Sequence, residues 1–233
     1  MGRVELFLLI APALLFSMVA HEYAHGYAAL RQGDPTAYQL GRLTWNPVKH
    51  IDPFMTILLP ILTFFGGGFL FGGAKPVPVV PRNYRNYRKG DIIVSMAGIV
   101  TNLILFVVLV GLFAVLGLLG RALPAANDTL AILQVMTVFG IRFNLMLAMF
   151  NLLPIPPLDG SHVMKYILPP AWALRYQQLG MYGILILVFF MATGVGRGLL
   201  SAWMAPAFAM EVNAMRLVSR FFLTSPFTES LLR

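Results

Sequence analysis

Cysteine is absent from this chain of 233 residues. The protein can therefore form no disulfide and no thiolate metal site, so any bound metal must be held by histidine or carboxylate groups. Histidine is also rare, with four residues, and Asp and Glu together number nine. The set of possible metal ligands is small enough to consider almost one residue at a time.

Charged residues are scarce as well. They make up 11% of the chain, against roughly 25% in soluble domains, whereas 58% of the residues are hydrophobic. This composition indicates a polytopic membrane protein that contacts the lipid bilayer. The formal net charge of +8 comes from basic residues in short loops between apolar runs, where the positive-inside rule would place them. The charge therefore indicates orientation in the membrane, and no nucleic-acid partner is predicted.

The first apolar run, at about 4–30, contains an H-E-x-x-H motif formed by His21, Glu22 and His25. In a helix, residues four apart lie on one face, so the two histidines could hold one metal ion while Glu22 stands beside it as a base. The run is long enough to span a membrane. Ionisable groups inside a membrane span are functional candidates, because burying them there is costly.

Further apolar runs predict an all-α membrane protein with five or six transmembrane helices, one of which carries the motif. After the first span, these runs lie at about 52–71, 92–119, 130–153, 182–193 and 199–222, and the run at 182–193 extends on either side to near residues 177 and 196. The run at 52–71 lies between two polar loops that are both expected in the cytoplasm, so it is predicted to be re-entrant, and one plain span is the alternative. The run at 199–222 could be a returning span or an interfacial amphipathic helix.

The polar loop that follows the first span is rich in turn residues. Its portion at 36–43 alternates enough between polar and apolar residues to form short strands, so a short β-hairpin near the active site or a loop is predicted. Such a strand could pair edge to edge with a substrate. Residues 1–168 are predicted to form the catalytic membrane core, and residues 169–233 are predicted to form C-terminal transmembrane or amphipathic helices.

A third metal ligand must come from another part of the chain, because catalytic zinc sites commonly combine two histidines with one carboxylate. Asp159 is the best candidate, since it follows a helix end broken by prolines. The first and fourth spans should also run in the same direction, which brings Asp159 to the face where His25 lies. His50 and Asp52 compete for this role, but anchoring of a polar loop explains them better. His162 is assigned no ligand role.

Two asparagines could assist the reaction. Asn151 could donate a hydrogen bond to the negative charge that develops on a substrate carbonyl oxygen, and capping of its own helix is an equal alternative. Asn102 could act similarly or support a metal ligand, although packing at the membrane interface is the simpler explanation. Arg142, near the middle of the fourth span, needs a partner or an aqueous cavity, and Glu211 could be that partner if the last segment returns through the membrane.

These motifs together resemble those of the site-2 protease family of intramembrane zinc metalloproteases. The resemblance extends from about residue 4 to 167 and is carried by His21-Glu22-Tyr23-Ala24-His25-Gly26, Asn46-Pro47 with His50, Ala97-Gly98 with Asn102, and Asn151-Leu152-Leu153-Pro154-Ile155-Pro156-Pro157-Leu158-Asp159-Gly160. The resemblance implies that His21, His25 and Asp159 bind Zn²⁺. It also implies that Glu22 is the general base and that Asn151 holds the substrate or the oxyanion.

The resemblance further implies cleavage of a single-pass membrane protein in or near its transmembrane segment. The protein would be a multi-pass protein of the cell membrane, which is the inner or plasma membrane if the protein is bacterial. Its active site would face the cytoplasm. No PDZ domain lies between the second and third spans and no CBS domain follows the core, so the chain looks like a minimal member.

The alternative function is a metal-binding membrane protein without proteolytic activity, such as a transporter or an inactive scaffold. A transporter would be expected to have several intramembrane ligand sets or repeated halves, whereas this sequence has one ligand set and no internal repeat. A scaffold would not need Glu22. The sequence predicts no oligomeric state.

Overall fold

The computed structural model describes residues 2–67 and 72–225. Its α-helices are α1 (Arg3–Gln32), α2 (Thr36–Gln39), α3 (Leu59–Gly67), α4 (Tyr87–Ala122), α5 (Asn127–Asn151), α6 (Asp159–Met164), α7 (Pro170–Gln178), α8 (Gly183–Ala192) and α9 (Gly194–Val218). A π-helical stretch (Pro53–Leu58) precedes α3, and short 3-10 turns occur at Pro47–His50, Pro81–Asn83, Pro124–Ala126, Leu179–Tyr182 and Ser219–Phe221. No β-strand occurs in the described ranges, in agreement with the predicted all-α class.

Three helices of the described residues are long and apolar enough to cross a membrane, namely α1, α4 and the segment 124–151 that includes α5. A polytopic membrane protein is therefore confirmed in this coarse form. The predicted fifth span at 182–193 corresponds to α8, whose ten residues extend only about 15 Å, half of the roughly 30 Å hydrocarbon core. The total of five or six spans stays a prediction.

Helices α1, α4 and α5 pack side by side as the core of the protein. Helix α4 runs antiparallel to α1, since His25 contacts Val94 whereas His21, one turn earlier in α1, contacts Asn102. Helix α5 runs parallel to α1, because it packs antiparallel to α4: Asn144 contacts Asn102, whereas Gln134, earlier in α5, contacts Phe113, later in α4. The carboxyl ends of α1 and α5 therefore lie on the same side, as the span directions predicted.

The segment between His50 and Lys75, which contains α3 and is called the α3 excursion below, ends close to the point where it starts. The Lys75 amide donates to the carbonyl of His50 at 2.8 Å, and the Gly73 amide donates to that of Met55 at 2.9 Å. Between these points α3 packs against α1 and α5 through Phe64. Both ends of the excursion thus lie together, which fits a re-entrant segment. The run contains the triplet Gly66-Gly67-Gly68, a plausible place for the chain to turn, and residues 68–71 lie outside the described residues.

The β-hairpin predicted at 36–43 is wrong, because this segment forms the helical turn α2 and a bend. The carboxylate of Asp34 accepts hydrogen bonds from the amide and the hydroxyl of Thr36, which starts a helical turn. The amides of Arg42 and Leu43 then both donate to the carbonyl of Ala37. Local hydrogen bonds therefore satisfy the backbone groups that a strand would have offered to a neighbour.

Helix α9 runs antiparallel to α5 along most of its length. At one end the Trp203 indole donates to the carbonyl of Met149 at 2.8 Å, and beyond the other end of α9 the Leu223 amide donates to Gln134 at 3.0 Å. Between them the guanidinium of Arg142 contacts the Glu211 carboxylate at 2.8 Å. The predicted partner of Arg142 is therefore the observed one.

Candidate metal centre and catalytic residues

Two histidines of α1 and one aspartate of α6 bring their side chains to a single point. The Nε2 atoms of His21 and His25 lie 3.1 and 3.3 Å from Oδ2 of Asp159. Both histidines are buried, and the three ligand atoms all lie within 4.8 Å of one another. Asp159 and the two histidines, which are more than 130 positions from it in the sequence, therefore form one potential metal site.

The spacing of these three atoms suits a tetrahedral zinc ion. Ligand atoms at about 2.0–2.2 Å from zinc lie roughly 3.3–3.5 Å from one another, close to the two observed nitrogen-to-oxygen distances. Two imidazoles and one carboxylate are also a common donor set for catalytic zinc, which keeps a fourth position for water. The donor set and these two distances therefore fit zinc.

Each histidine is oriented by a hydrogen bond from its other ring nitrogen. Nδ1 of His21 lies 2.5 Å from Oδ1 of Asn102, and Nδ1 of His25 lies 2.7 Å from the carbonyl oxygen of Val94. Both acceptors belong to α4. An acceptor at Nδ1 favours the proton on that nitrogen and leaves the Nε2 lone pair free for a metal. Acceptors on helix α4 thus determine that the Nε2 atoms of the two histidines in α1 are the ones that can bind a metal.

The close approach of α4 to the histidines depends on Gly98. A Cβ atom at this position would lie 2.5 Å from Cε1 and 2.6 Å from Nε2 of His21, and 2.6 Å from Nε2 of His25. Such distances are too short for any real side chain. A residue without a side chain is therefore required for this packing.

Glu22 lies beside the cluster, and an extended segment supports its carboxylate. The amide of Val77 donates to Oε2 of Glu22 at 2.7 Å. Val77 belongs to the stretch at 72–80 that follows the α3 excursion, and its side chain packs against Gly26 of α1. One carboxylate oxygen, Oε2, is thereby held in place.

Asp159 reaches the histidines because the chain turns sharply after α5. The prolines after Asn151 prevent α5 from continuing, and Asp159 becomes the first residue of α6. Gly160 allows this turn to be tight, since a Cβ atom there would overlap the carbonyl oxygen of Leu152. The carboxylate is thus brought back toward the end of α1.

The buried carboxylate of Asp91 in α4 anchors the carboxyl end of α6, the end opposite Asp159. Asp91 accepts from the Lys165 ammonium at 2.6 Å, the Tyr166 hydroxyl at 2.9 Å and Nδ1 of His162 at 3.0 Å. His162, which was assigned no ligand role, thus contacts Asp91. This role of Asp91 was not predicted from the sequence, although a lone carboxylate at the start of an apolar span is a signal for it.

The remaining predicted residues occupy different places. The amide nitrogen of Asn151 donates to the carbonyl of Leu147 in its own helix at 3.0 Å. His50 is buried against the carbonyl of Thr44, and Asp52 caps the π-helical stretch through the amides of two following residues. His50 and Asp52 therefore anchor the polar loop, as the sequence favoured.

Asn102 belongs to a buried hydrogen-bond network whose other members were not predicted from the sequence. Its amide nitrogen donates to Oδ1 of Asn144 in α5 at 2.7 Å, and Asn144 donates to the Ser17 hydroxyl at 2.9 Å. All three side chains are buried. A second asparagine seven residues before Asn151, on the apolar α5, was the available signal.

The fold and this site define a membrane-embedded metallohydrolase. The family model described as peptidase family M50, the site-2 protease family, matches residues 9–129 and 120–191. The chain belongs to this family and is a zinc metalloprotease.

Sequence relatives agree with this assignment. The chain is 38% identical over 183 residues to YwhC of Bacillus subtilis (strain 168), named as a candidate zinc metalloprotease, and the match covers 78% of this chain and 80% of the relative. It is 31% identical over 194 residues to Rip2 of Mycolicibacterium smegmatis (strain ATCC 700084 / mc(2)155), named in the same way, with 83% of this chain and 70% of the relative covered. No solved structure matches the chain significantly.

Proposed function

We propose that this metalloprotease hydrolyses a peptide bond in or near the transmembrane segment of a single-pass membrane protein. His21, His25 and Asp159 are the zinc ligands in this proposal, and Glu22 is the general base. The observation that carries it is the position of the ligand cluster, which is built on an apolar helix long enough to span a membrane. A substrate segment lying in the same bilayer is the natural partner of such a site.

The residues around the cluster have separate tasks in hydrolysis. Zinc, when bound, supplies a Lewis acid and lowers the pKa of water toward neutrality. The second carboxylate oxygen of Glu22, Oε1, accepts the proton of the attacking water and later delivers it to the leaving amine. Asn151 uses the second hydrogen of its amide nitrogen to bind the carbonyl oxygen as negative charge develops on it.

The proposed orientation places the site toward the cytoplasm. The loop at 75–89 is the most basic in the chain, and its Arg85 amide donates to the carbonyl of Gln32 at 2.8 Å, at the end of α1. The loops before and after the α3 excursion are thus on one side, and basic loops favour the cytoplasmic side. His25 lies near this end of α1, so the metal centre of a cell-membrane protein would face the cytoplasm.

The catalytic core in this proposal comprises residues 1–168, because α1 to α6 carry every residue assigned to the site. Residues 169–233 form a C-terminal part, in which α9 is a returning helix or an interfacial amphipathic helix. The antiparallel packing of α9 along α5 and the ion pair between Arg142 and Glu211 support a returning helix, whereas α9 is not among the helices apolar enough to cross a membrane.

Replacement of Glu22 by Gln tests the protease function. Purified E22Q is expected to keep zinc and to lose cleavage of a model transmembrane substrate by about 100-fold or more, since general-base catalysis supplies roughly 10²–10⁴-fold. The control is Glu5→Gln, which removes an exposed carboxylate of the same helix. Unchanged cleavage by E22Q would refute Glu22 as the general base, whereas no cleavage by the unmodified protein would favour a metal-binding protein without this activity. Asp159→Ala should lower zinc content, and full zinc occupancy would refute the third ligand.

A further inference from the structure

A chain of buried hydrogen bonds connects His21 to the interior of the three-helix core. It runs from Nδ1 of His21 to Asn102 at 2.5 Å, from Asn102 to Asn144 at 2.7 Å, and from Asn144 to the Ser17 hydroxyl at 2.9 Å. Asn102 and Asn144 are completely buried. Because water does not reach these amides, their orientation must be decided by the protein groups around them.

The direction of this chain is determined at its inner end. The Ser17 hydroxyl donates its only hydrogen to the carbonyl of Ala13 at 2.8 Å, so it can only accept from Asn144. The same nitrogen of Asn144 also donates to the carbonyl of Gly140 at 2.8 Å, and a carbonyl has no hydrogen to give. The nitrogen of Asn144 must therefore face these two acceptors, and its oxygen must face Asn102.

The orientation of Asn144 determines the orientation of Asn102, and thereby which ring nitrogen of His21 carries the hydrogen. The nitrogen of Asn102 donates to the oxygen of Asn144, and also to the carbonyl of Ser17 at 3.3 Å, so Oδ1 of Asn102 faces His21. That oxygen requires a hydrogen on Nδ1 of His21. A neutral imidazole carries one hydrogen, so Nε2 keeps its lone pair toward the cluster.

We infer that Asn102 and Asn144 are positioning residues that hold His21 in the tautomer able to bind a metal. Asp159, whose Oδ2 lies 3.1 Å from Nε2, is a strong acceptor that would otherwise draw the hydrogen to Nε2 and occupy the lone pair that zinc needs. His25 obtains the same tautomer from a backbone carbonyl, that of Val94. The inference deepens the proposed zinc site and does not depend on proteolytic activity.

Four variants of the full-length protein test this chain of hydrogen bonds. Their zinc affinity is measured by competition with a chelator. Asn102→Leu removes the acceptor and should weaken zinc binding by about 10–100-fold, and Asn144→Leu should weaken it less, because the carbonyl of Ser17 still orients Asn102. Asn102→Asp should restore affinity, since a buried protonated carboxyl keeps an oxygen toward His21 and an O–H toward Asn144. Ser17→Ala should bind zinc normally, because the Gly140 carbonyl still orients Asn144.

The tautomer itself is measured by ¹⁵N NMR of metal-free protein labelled on histidine, at a pH where the rings are neutral. With only four histidines, we expect the hydrogen of His21 on Nδ1 in the unmodified protein and a shift toward Nε2 in Asn102→Leu, while the His25 signal stays unchanged. A hydrogen on Nε2 of His21 in the unmodified protein overturns the inference, whether or not any variant folds. Equal losses of zinc affinity in Asn102→Leu and Asn102→Asp also overturn it, whereas the Glu22→Gln result bears only on proteolysis.

Discussion

Gly98 illustrates how one residue controls the metal centre. The position of its missing side chain is occupied by the two histidine rings. We expect Gly98→Ala to push α4 away from α1, to lower zinc affinity, and to cost about 1–3 kcal/mol of stability, as overpacking does. Zinc titration and thermal unfolding measure these effects.

The matched control for this substitution is Gly111→Ala in the same helix. Apart from its chain neighbours and the backbone of its own helix, no atom of the described residues lies within 4 Å of a Cβ built at that position. Alanine is favoured over glycine in a helix by up to about 1 kcal/mol, so Gly111→Ala should be neutral or slightly stabilising and should bind zinc normally. If Gly98→Ala behaved like this control, the close packing of α4 on the histidines would not matter for binding.

Asp34 makes a second prediction at the scale of one residue. Burial acts to raise the pKa of this carboxyl, but hydrogen bonds from Thr36, Asn83 and Val80 outweigh burial and hold the pKa below its ordinary value. A lowered pKa in the folded protein means that Asp34 stabilises the fold above the unfolded pKa of about 3.9 and that this stability is lost as the pH falls through the folded pKa.

The variant Asp34→Asn is therefore expected to be less stable at neutral pH by about 1–3 kcal/mol, with a smaller loss of stability on acidification than the unmodified protein. Thermal unfolding at neutral pH and at about pH 3 measures both effects. An identical pH dependence in the two proteins would contradict the role of the ionised carboxyl in joining the loop after α1 to the segment before α4.

At the scale of elements, the short helix α6 owes its position to Asp91. Its six residues are too few to be stable alone, so the contacts of Asp91 with Lys165, Tyr166 and His162 hold the helix that begins with Asp159. We expect Asp91→Asn to weaken zinc binding and cleavage together, because α6 and its ligand shift while the buried Lys165 ammonium loses its partner.

The control for Asp91→Asn is the double variant with Lys165→Met. Replacing a buried ion pair by neutral groups is often tolerated, whereas removing one partner costs about 3–5 kcal/mol. The double variant should therefore recover part of the stability lost in the single one. Full zinc binding by Asp91→Asn alone would show that α6 is held by other contacts.

At the scale of the whole molecule, the α3 excursion decides the topology. Because its two ends are hydrogen-bonded to each other, we expect the loops on either side of it to be exposed on the same face of the membrane. Single cysteines can report this without background, since the chain has none. Lys49→Cys and Arg85→Cys should label from the cytoplasmic side, and Ala125→Cys should label from the opposite side.

The label at position 125 is the internal control, because α4 separates it from Arg85 in every arrangement considered. Labelling of positions 49 and 85 from opposite sides would mean that the segment spans the membrane, and the re-entrant model would then be wrong. The orientation of the metal centre would follow the label at position 49, which lies nearest in sequence to the end of α1.

Much of the function could be predicted from the chain alone, for physical reasons that are local. The spacing of His21 and His25 fixes them on one helical face, and the absence of cysteine leaves few other zinc ligands. The length and apolar character of the first run indicate a membrane span. Asp159 could be proposed as the third ligand because the prolines before it end a helix. In addition, the first and fourth spans are expected to cross the membrane in the same direction, so Asp159 lies at the same membrane face as His25.

Tertiary structure alone decided the features that depend on distant partners. The alternation at 36–43 predicted a hairpin, yet Asp34 starts a helical turn and is itself held from the far side by Val80. The roles of Asn102, Asn144 and Asp91 arise from contacts between different helices. Local periodicity contains no information about such contacts, since an asparagine that orients a ligand and one that only packs have the same sequence neighbours.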